Sequence, residues 1–206
     1  MRLRYPTVLL ATALLCAGCG GGGGPDGPVT VTLLTTPDLV GTVTSTGFVT
    51  PQTLGVGDRT PPGSAEFTFR GFFTFDLAAL PPGATVLSAT LTVHQIHVSG
   101  SPYTTLGALL VDQVVFGTVL EAGAYGRSFP TSQGVPLSFD ATLGPKVVDA
   151  TMQVQADLAA GRTLSQWRLR FVLEGDGNTL ADQADMGAPG TAAAPMHPTL
   201  VVTYRP

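Results

Sequence analysis

Glycine and proline interrupt this chain so often that long helices are excluded. The sequence holds 26 glycines and 17 prolines among 206 residues, about one residue in five. Glycine costs about 1 kcal/mol and proline about 3 kcal/mol in a helix interior, which argues against a helical bundle. Hydrophobic residues make up 44%, enough to build a core, so a globally disordered chain is excluded as well. The remaining stretches are rich in Thr and Val, and the sequence therefore predicts a loop-rich, all-β protein.

The charge content excludes one large class of partner. Charged residues make up 12% of the chain, about half of the usual share of roughly 25%. Ten Lys and Arg stand against fourteen Asp and Glu, and Lys146 is the single lysine. A nucleic-acid-binding protein normally carries a basic patch, which this composition does not provide. We expect no nucleic-acid partner.

The first eighteen residues are predicted to be a signal peptide. Arg2 and Arg4 form a short basic region, and the apolar segment 8–16 that follows is too short to span a bilayer. Residues Ala17-Gly18-Cys19 then resemble a bacterial lipobox. That resemblance implies cleavage before Cys19, lipid attachment to Cys19 and a membrane as partner. The alternative is an ordinary secretory signal cleaved after a small residue.

Residues 19–28 are predicted to be the lipidated cysteine and a flexible tether. Five consecutive glycines at 20–24 and a Pro-Asp-Gly-Pro sequence bring almost no side chains to a core. By the lipobox resemblance, Gly20 after Cys19 favours the outer membrane of the bacterial cell envelope. Cys16 and Cys19 are the two cysteines of the chain, so residues 29–206 can hold no disulfide and no cysteine-ligated metal.

Residues 29–206 are predicted to form one β domain, because apolar and polar residues alternate along them with the period of a strand. Trp167 alternates in phase with Leu169 and Phe171, which favours a place in the core. A phase shift after Gln95 predicts a bulge. The predicted strands cover residues 29–34, 40–49, 54–57, 67–77, 88–98, 106–119, 135–139, 166–173 and 200–204. Residues 147–160 alone have helical spacing, with Gly161 as the cap. This pattern favours a jelly-roll β-sandwich of two antiparallel sheets.

Several of these segments resemble a known family. The sequences Arg70-Gly71-Phe72-Phe73-Thr74-Phe75-Asp76-Leu77, Leu80-Pro81-Pro82-Gly83-Ala84 and Ser88-Ala89-Thr90-Leu91 are similar, in this order, to the central signature of the DNRLRE (disaggregatase-related) domain. The end of the chain, Pro198 to Tyr204, is similar to its closing strand. That domain is related to carbohydrate-binding module family ninety-six. The resemblance implies a jelly-roll β-sandwich that is exported and attached to carbohydrate-active or surface proteins.

Three arginines are candidates for binding an acidic ligand. Arg168 and Arg170 alternate with the apolar residues of one predicted strand, and Arg70 does so on another. If the two strands are neighbours, the guanidinium groups form a stripe, and each can bind a carboxylate through two hydrogen bonds. An acidic polysaccharide such as a uronan would suit that stripe. The alternative is a solvated strand face with acidic partners nearby.

Loop aromatics are the second group of candidates for binding a sugar. Tyr103, Tyr125 and Phe129 lie in segments rich in Gly, Pro and Ser, where a ring can be exposed to a ligand. A sugar ring packs its C–H groups against such an aromatic face. Tyr103 and Tyr125 therefore belong, with the arginines, to the predicted ligand site.

Oxygen-bearing side chains cluster near the C-terminal part of the chain. Glu174, Asp176, Asn178 and Asp182 offer carboxylate and amide oxygens, which Ca²⁺ prefers as ligands. An EF-hand is excluded because Thr179 replaces its glycine and a strand leads into the segment. The sequence establishes no cofactor: a solvated polar turn accounts for these residues, and a structural calcium ion is the one cofactor left open as an alternative.

The sequence offers little for catalysis. Its three histidines are His94, His97 and His197, and it contains no Gly-x-Ser-x-Gly motif. We therefore expect that the chain is not an enzyme. The function favoured by the sequence is non-catalytic binding of an extracellular carbohydrate, including acidic polysaccharide. The alternative is a structural or adhesive surface module that docks a protein partner and has no small ligand.

Overall fold

The computed structural model describes residues 27–61, 63–129, 134–178, 180–190 and 196–206. The predicted signal peptide, the lipidation of Cys19 and all but the last two residues of the predicted tether lie outside these ranges. The described residues form an antiparallel sheet of twelve strands with two short helices, which confirms the mostly-β class. Neither helix has the length and apolar content needed to cross a bilayer.

The strands and helices have the following bounds. The strands are β1 (Val29–Leu34), β2 (Gly41–Thr44), β3 (Val49–Pro51), β4 (Leu54–Arg59), β5 (Phe67–Asp76), β6 (Thr85–Ser99), β7 (Leu109–Val114), β8 (Val135–Ser138), β9 (Gly144–Asp149), β10 (Leu164–Phe171), β11 (Asp182–Met186) and β12 (Thr199–Arg205). The helices are α1 (Pro102–Thr105) and α2 (Thr151–Ala159).

The sheet joins strands that are far apart in the sequence. Hydrogen bonds connect them in the order β1-β12-β6-β11-β4-β5-β10-β7-β8. β2 pairs with β5 and carries β3 on its other side, and β9 pairs with β6. Every one of these pairings is antiparallel. The central strands β4, β5, β6 and β10 therefore bring residues from both halves of the chain together.

One large apolar cluster forms the core. It takes residues from strands throughout the sheet order, among them Leu33, Phe73, Leu91, Trp167 and Val202. Trp167 is 1% exposed, which confirms its predicted place in the core. Its indole N–H donates to Ser165 Oγ at 3.0 Å, so the ring's polar atom is satisfied despite burial.

A second, smaller cluster covers the opposite face of β5 and β10. Phe72 is fully buried there and packs edge-to-face on Phe116, with ring centroids 5.7 Å apart. Val114 and Ala124 belong to the same cluster. The segment after β7 therefore lies over a face of the sheet that alternation alone would leave open to solvent.

Local differences from the sequence predictions have physical causes. The bulge is confirmed, because Asp185 pairs with His97 while Met186 pairs with Gln95. The helical prediction over 147–160 began too early: residues 144–149 pair with β6, and the helix begins at Thr151. Tertiary pairing with β6 overrides the helical spacing of Val147 and Val148. Strand β11 was not predicted, since its acidic residues favoured a loop.

Candidate functional site

The predicted arginine stripe exists, but its members bind protein groups. β5 and β10 are neighbours, and Arg168 lies opposite Phe72 in their register, so all three arginines share one face. Asp112 of β7 lies opposite Arg168 and is 1% exposed. Its Oδ2 atom accepts hydrogen bonds from Arg168 Nη2 and Arg170 Nε, both at 2.8 Å. One buried carboxylate therefore holds two guanidinium groups.

The segment 121–129 covers the same arginines from outside. Arg168 Nη1 donates to the carbonyl oxygens of Tyr125, at 3.2 Å, and Arg127, at 2.8 Å. The Phe129 ring lies over both guanidinium groups of β10, with centroids 5.0 Å from the Arg168 carbon and 5.6 Å from that of Arg170. Arg168 is 2% exposed as a result. Its burial lowers its pKa, while the carboxylate of Asp112 opposes that shift.

Arg70 extends this network to the predicted metal loop. Its guanidinium stacks on the Tyr125 ring at 4.2 Å and donates to the Tyr125 carbonyl and to Glu174. Tyr125 Oη donates to Glu174 Oε2 at 2.6 Å. Burial lowers the pKa of Arg70 to about 10, and the nearby positive charge of Arg168 adds to the effect. The predicted ligand residues Arg70, Arg168, Arg170 and Tyr125 thus come together as a structural network.

Tyr103 lies apart from that network. Its ring packs edge-to-face on Phe171 with a centroid distance of 5.3 Å, and its hydroxyl donates to Gln95 Oε1. Burial raises its pKa to about 12. Tyr103 is half-buried against the main core, in contrast to the exposed platform expected from its loop sequence.

A group of three carboxylates lies beside the predicted calcium loop. Asp58, Glu66 and Asp176 each place one oxygen so that all three lie within 4.8 Å of one another. Asp58 is fully buried and accepts from the backbone N–H groups of Asp176, at 3.2 Å, and Asp182, at 3.1 Å. Burial raises the pKa of Asp58 to about 6, and the charges of Glu66 and Asp176 add to the rise. This acidic triad could hold a metal ion.

Only one of the four predicted metal ligands belongs to the acidic triad. Asp176 does, whereas Glu174 binds Arg70 and Tyr125. Asn178 closes a turn, with its N–H donating to Asp176 Oδ1 at 2.9 Å. Asp182 begins β11 and accepts from the Ser101 N–H. Asp58 and Glu66 were not predicted because they lie more than a hundred residues upstream of Asp176, Asp58 near the end of β4 and Glu66 just before β5.

A different surface has the character of a ligand site. A cleft of about 450 Å³ opens over β2, β3, β4, β5, β6 and β11. We call it the Phe48 groove. Its walls include Thr42, Thr44, Phe48, Arg59, Phe67, Phe69, His97, Gln183 and Asp185. Aromatic rings, hydroxyls and a few charged groups therefore meet in one concave surface.

The aromatic wall of the Phe48 groove is fixed by a short turn. Phe48 is 68% exposed, at the tip between β2 and β3. Its N–H donates to Thr44 Oγ1 at 2.9 Å, and Gly47 allows the turn through its φ of 88°. The ring is thus held out of the core by a backbone that the Thr44 hydroxyl stabilises.

Arg59 provides the cationic end of the groove. It pairs across the β4–β5 hairpin with Phe67, and its guanidinium lies 5.8 Å from the centroid of that ring. Among the residues that the structure describes, no carboxylate forms an ion pair with Arg59, and its side chain is exposed. Its guanidinium is therefore available to a ligand carboxylate or hydroxyl.

Three polar side chains form the opposite wall. His97 Nδ1 lies 3.0 Å from Asp185 Oδ2, and Gln183 Nε2 donates to the same oxygen at 3.2 Å. Gln183 and Asp185 are two residues apart on β11, so they share a face, and His97 is the cross-strand partner of Asp185. Imidazole, amide and carboxylate groups can exchange hydrogen bonds with the hydroxyls of a sugar.

None of the residues of this groove was predicted as a ligand-binding residue from the sequence. Its members are drawn from segments around residues 42–59, 67–69, 96–97 and 183–186, which only the sheet order brings together. One local signal was present, since a hairpin between residues 54–59 and 67–76 places Arg59 opposite Phe67. Alternation by itself could not identify the strand pairing that completes the groove.

The sequence was compared with protein-family models and with curated proteins. No protein-family model matches the sequence, and no curated protein matches it. The similarity of residues 70–91 to the DNRLRE signature therefore stays a hypothesis about the family of this chain.

Proposed function

We propose that this protein is an exported, lipid-anchored, non-catalytic module that binds extracellular carbohydrate in the Phe48 groove. One observation carries the proposal: an exposed aromatic ring, Phe48, shares a cleft with hydroxyl, amide and charged side chains. A sugar presents C–H groups on one face and hydroxyls around its edge. The groove matches both, with aromatic rings on one side and polar groups on the other.

The charges of the groove favour an acidic sugar. Arg59 is exposed, whereas the single acidic residue among the lining residues, Asp185, is already bonded to His97 and Gln183. A uronate carboxylate can therefore bind the guanidinium of Arg59 through two hydrogen bonds. The proposed acid-binding residue thus moves from Arg168 and Arg170, whose donors bind protein oxygens, to Arg59.

We also propose that the sheet forms a jelly-roll β-sandwich, in line with the family resemblance. The main core collects side chains from strands at both ends of the sheet order. Thr35, just after β1, forms an isolated bridge to Phe75 of β5, and β8 contacts β9. A sheet that folds over on itself would account for these contacts.

Affinity electrophoresis tests the carbohydrate proposal. The secreted chain carrying Cys19→Ser is run through gels cast with neutral and acidic polysaccharides. We expect retardation by an acidic polysaccharide, and about tenfold weaker binding for Phe48→Ala, since loss of one aromatic platform costs about 1–2 kcal/mol. Arg59→Ala should lose the preference for acidic over neutral polymers.

Matched substitutions outside the groove are the controls. Phe139 is 72% exposed and does not line the groove, so Phe139→Ala should bind like the unmodified chain. Arg205→Ala is the corresponding control for Arg59→Ala and should keep the preference for acidic polymers. Equal losses for Phe48→Ala and Phe139→Ala would contradict the assignment of the groove. Absence of retardation on a broad panel would favour a structural or adhesive module that docks a protein.

We propose that the calcium ion left open by the sequence binds at the acidic triad. Three carboxylates that lie within 4.8 Å repel one another, and a divalent cation removes that repulsion. Calcium at about 100 times its dissociation constant should raise the free energy of unfolding by about 2.7 kcal/mol. Thermal unfolding with calcium and with a chelator measures this shift.

Glu66→Gln should remove most of that calcium-dependent shift. The glutamine oxygen can still accept from the Gly177 N–H, which donates to Glu66 Oε1 at 3.1 Å, so the loop itself is preserved. Glu121→Gln, at an exposed glutamate outside the triad, should leave the shift unchanged. A calcium response that survives Glu66→Gln would move the cation away from the triad.

A further inference from the structure

Two clefts lie at opposite ends of strands β5 and β6. The Phe48 groove includes Phe67 at the beginning of β5 and His97 near the end of β6. A second cleft, of about 840 Å³, lies beside Leu77, just after β5, and Val86, at the beginning of β6. Ten residue steps on β5, from Phe67 to Leu77, and eleven on β6, from Val86 to His97, separate the two ends, and ten steps at 3.3 Å per residue are about 33 Å.

The chain enters the sheet at the end with the second cleft. Val29 pairs with Tyr204 on β12, and Tyr204 pairs with Val86 on β6. Val29 is therefore two strand spacings, about 10 Å, from the rim of the second cleft. Arg205 pairs with Thr85, so the C-terminal end of β12 lies at the same end of the domain.

We infer that the Phe48 groove faces away from the membrane that anchors the protein, so that its partner is a sugar polymer outside that membrane. The inference rests on the proposed anchor at Cys19 and on the proposed sugar site. A sugar headgroup in the anchoring membrane presents the same chemistry, but it lies on the wrong side of the domain. Val29 lies at one end of the domain and the groove at the other, and the proposed orientation follows from these two positions.

Chain length supports this orientation. The ten residues 19–28 span at most about 35 Å when fully extended. To turn the groove toward its own membrane, these residues would have to reach past the whole domain, about 33 Å along β5 and β6. That would require an almost fully stretched chain, and stretching removes nearly all of its conformational freedom. Attachment at the Val29 end therefore keeps the groove outward.

Energy transfer on the full lipoprotein in vesicles tests the orientation without any sugar. Two single-cysteine variants carry a donor dye: Ser64→Cys, in the exposed loop between Arg59 and Phe67, and Thr85→Cys, exposed at the opposite end. Residues 29–206 contain no other cysteine, so the label is unique. With an acceptor lipid in the bilayer, we expect transfer at least about twofold higher from position 85, because about 33 Å separates the ends.

Equal transfer from the two positions, or higher transfer from position 64, would overturn the inference. So would a chain that fails to float with vesicles, since it would then lack the anchor. A second measurement distinguishes the sources of sugar: the vesicle-bound lipoprotein should bind a soluble polyuronate as tightly as the Cys19→Ser chain does. It should not cluster glycolipids bearing glucuronate in its own vesicle. If neither the vesicle-bound lipoprotein nor the Cys19→Ser chain binds the soluble polyuronate, the proposed function is contradicted. The energy-transfer measurement of the orientation is not affected by that outcome.

Discussion

Replacing Asp112 by alanine is expected to lower the free energy of unfolding by about 3–5 kcal/mol, because the buried Arg168 and the partly buried Arg170 lose their shared carboxylate. Arg168 is 2% exposed, and the Arg170 side chain is 17% exposed. The Arg168 guanidinium cannot turn to bulk water without opening the cover formed by Tyr125, Arg127 and Phe129, and the Phe129 ring also lies over Arg170. A buried guanidinium without its counterion bears most of its desolvation cost.

Urea unfolding followed by tryptophan fluorescence measures this effect. Trp167 is the single tryptophan of the chain and lies beside Asp112, since it pairs with Gln113 across β7 and β10. Asp140→Ala is the matched control, because Asp140 also pairs with a cation, Lys146, but its own side chain is 65% exposed. The control should unfold at nearly the same urea concentration as the unmodified chain. Similar losses of stability in Asp112→Ala and Asp140→Ala would show that burial of the carboxylate does not determine the cost of removing it.

A combined variant separates the ion network from the packing of its cover. Asp112→Leu together with Arg168→Met and Arg170→Met removes the charges and keeps most of the volume. Apolar replacement of a complete buried ion network is often neutral or stabilising, so this variant should regain most of the stability lost in Asp112→Ala. A combined variant as unstable as Asp112→Ala would mean that the arginines hold segment 121–129 by bonds that apolar groups cannot replace.

The same network shows where reasoning from the sequence stops. Alternation predicted which face of β10 carries Arg168 and which carries Trp167, because neighbouring side chains on a strand point to opposite sides. It could not predict that Phe116 and Tyr125 return over the arginine face, because that contact joins residues more than forty positions apart. A polar strand face was therefore interpreted as solvent-exposed, when it carries a second layer of chain.

Of the three carboxylates in the acidic triad, only that of Asp176 could be predicted as a metal ligand from the sequence. Asp176 lies in a run rich in acidic residues, which is a local feature of the sequence. Asp58 lies two residues after the buried Val56 and in the same phase, so alternation points it inward, but nothing local indicates which partners bury a carboxylate there. The partner that buries it, β11, was itself missed, so the two halves of the triad could not be joined before the sheet order was known.

Gly57→Ala is expected to be among the most damaging changes of a single small residue, lowering the free energy of unfolding by about 3 kcal/mol or more. Gly57 has φ of 136°, and a Cβ atom there would lie 2.0 Å from the carbonyl oxygen of Asp182. That oxygen belongs to the backbone of the neighbouring strand, so it cannot turn aside as a side chain would. The alanine must either push β11 away from β4 or change the backbone of β4.

Gly83→Ala separates the cost of the positive φ from the cost of the steric clash. Gly83 also has a positive φ, 84°, but a Cβ atom there would meet nothing within 4 Å. Its substitution should cost only the backbone strain, about 1–2 kcal/mol. Urea unfolding of both variants measures the difference, which reports the close approach of β4 and β11. Equal costs would mean that the two strands separate easily at this point.

The Gly57 variant also connects the fold to the proposed function. Gly57 pairs with Gln183 of the Phe48 groove and lies two residues before Arg59. Moving β11 from β4 would widen the groove between Arg59 and its polar wall, so the Gly57→Ala chain should lose carbohydrate binding under conditions where it is still folded. Gly83→Ala, at the other end of β5 and β6, should keep that binding. Intact binding in a folded Gly57→Ala chain would show that the pairing of β4 with β11 does not set the width of the groove.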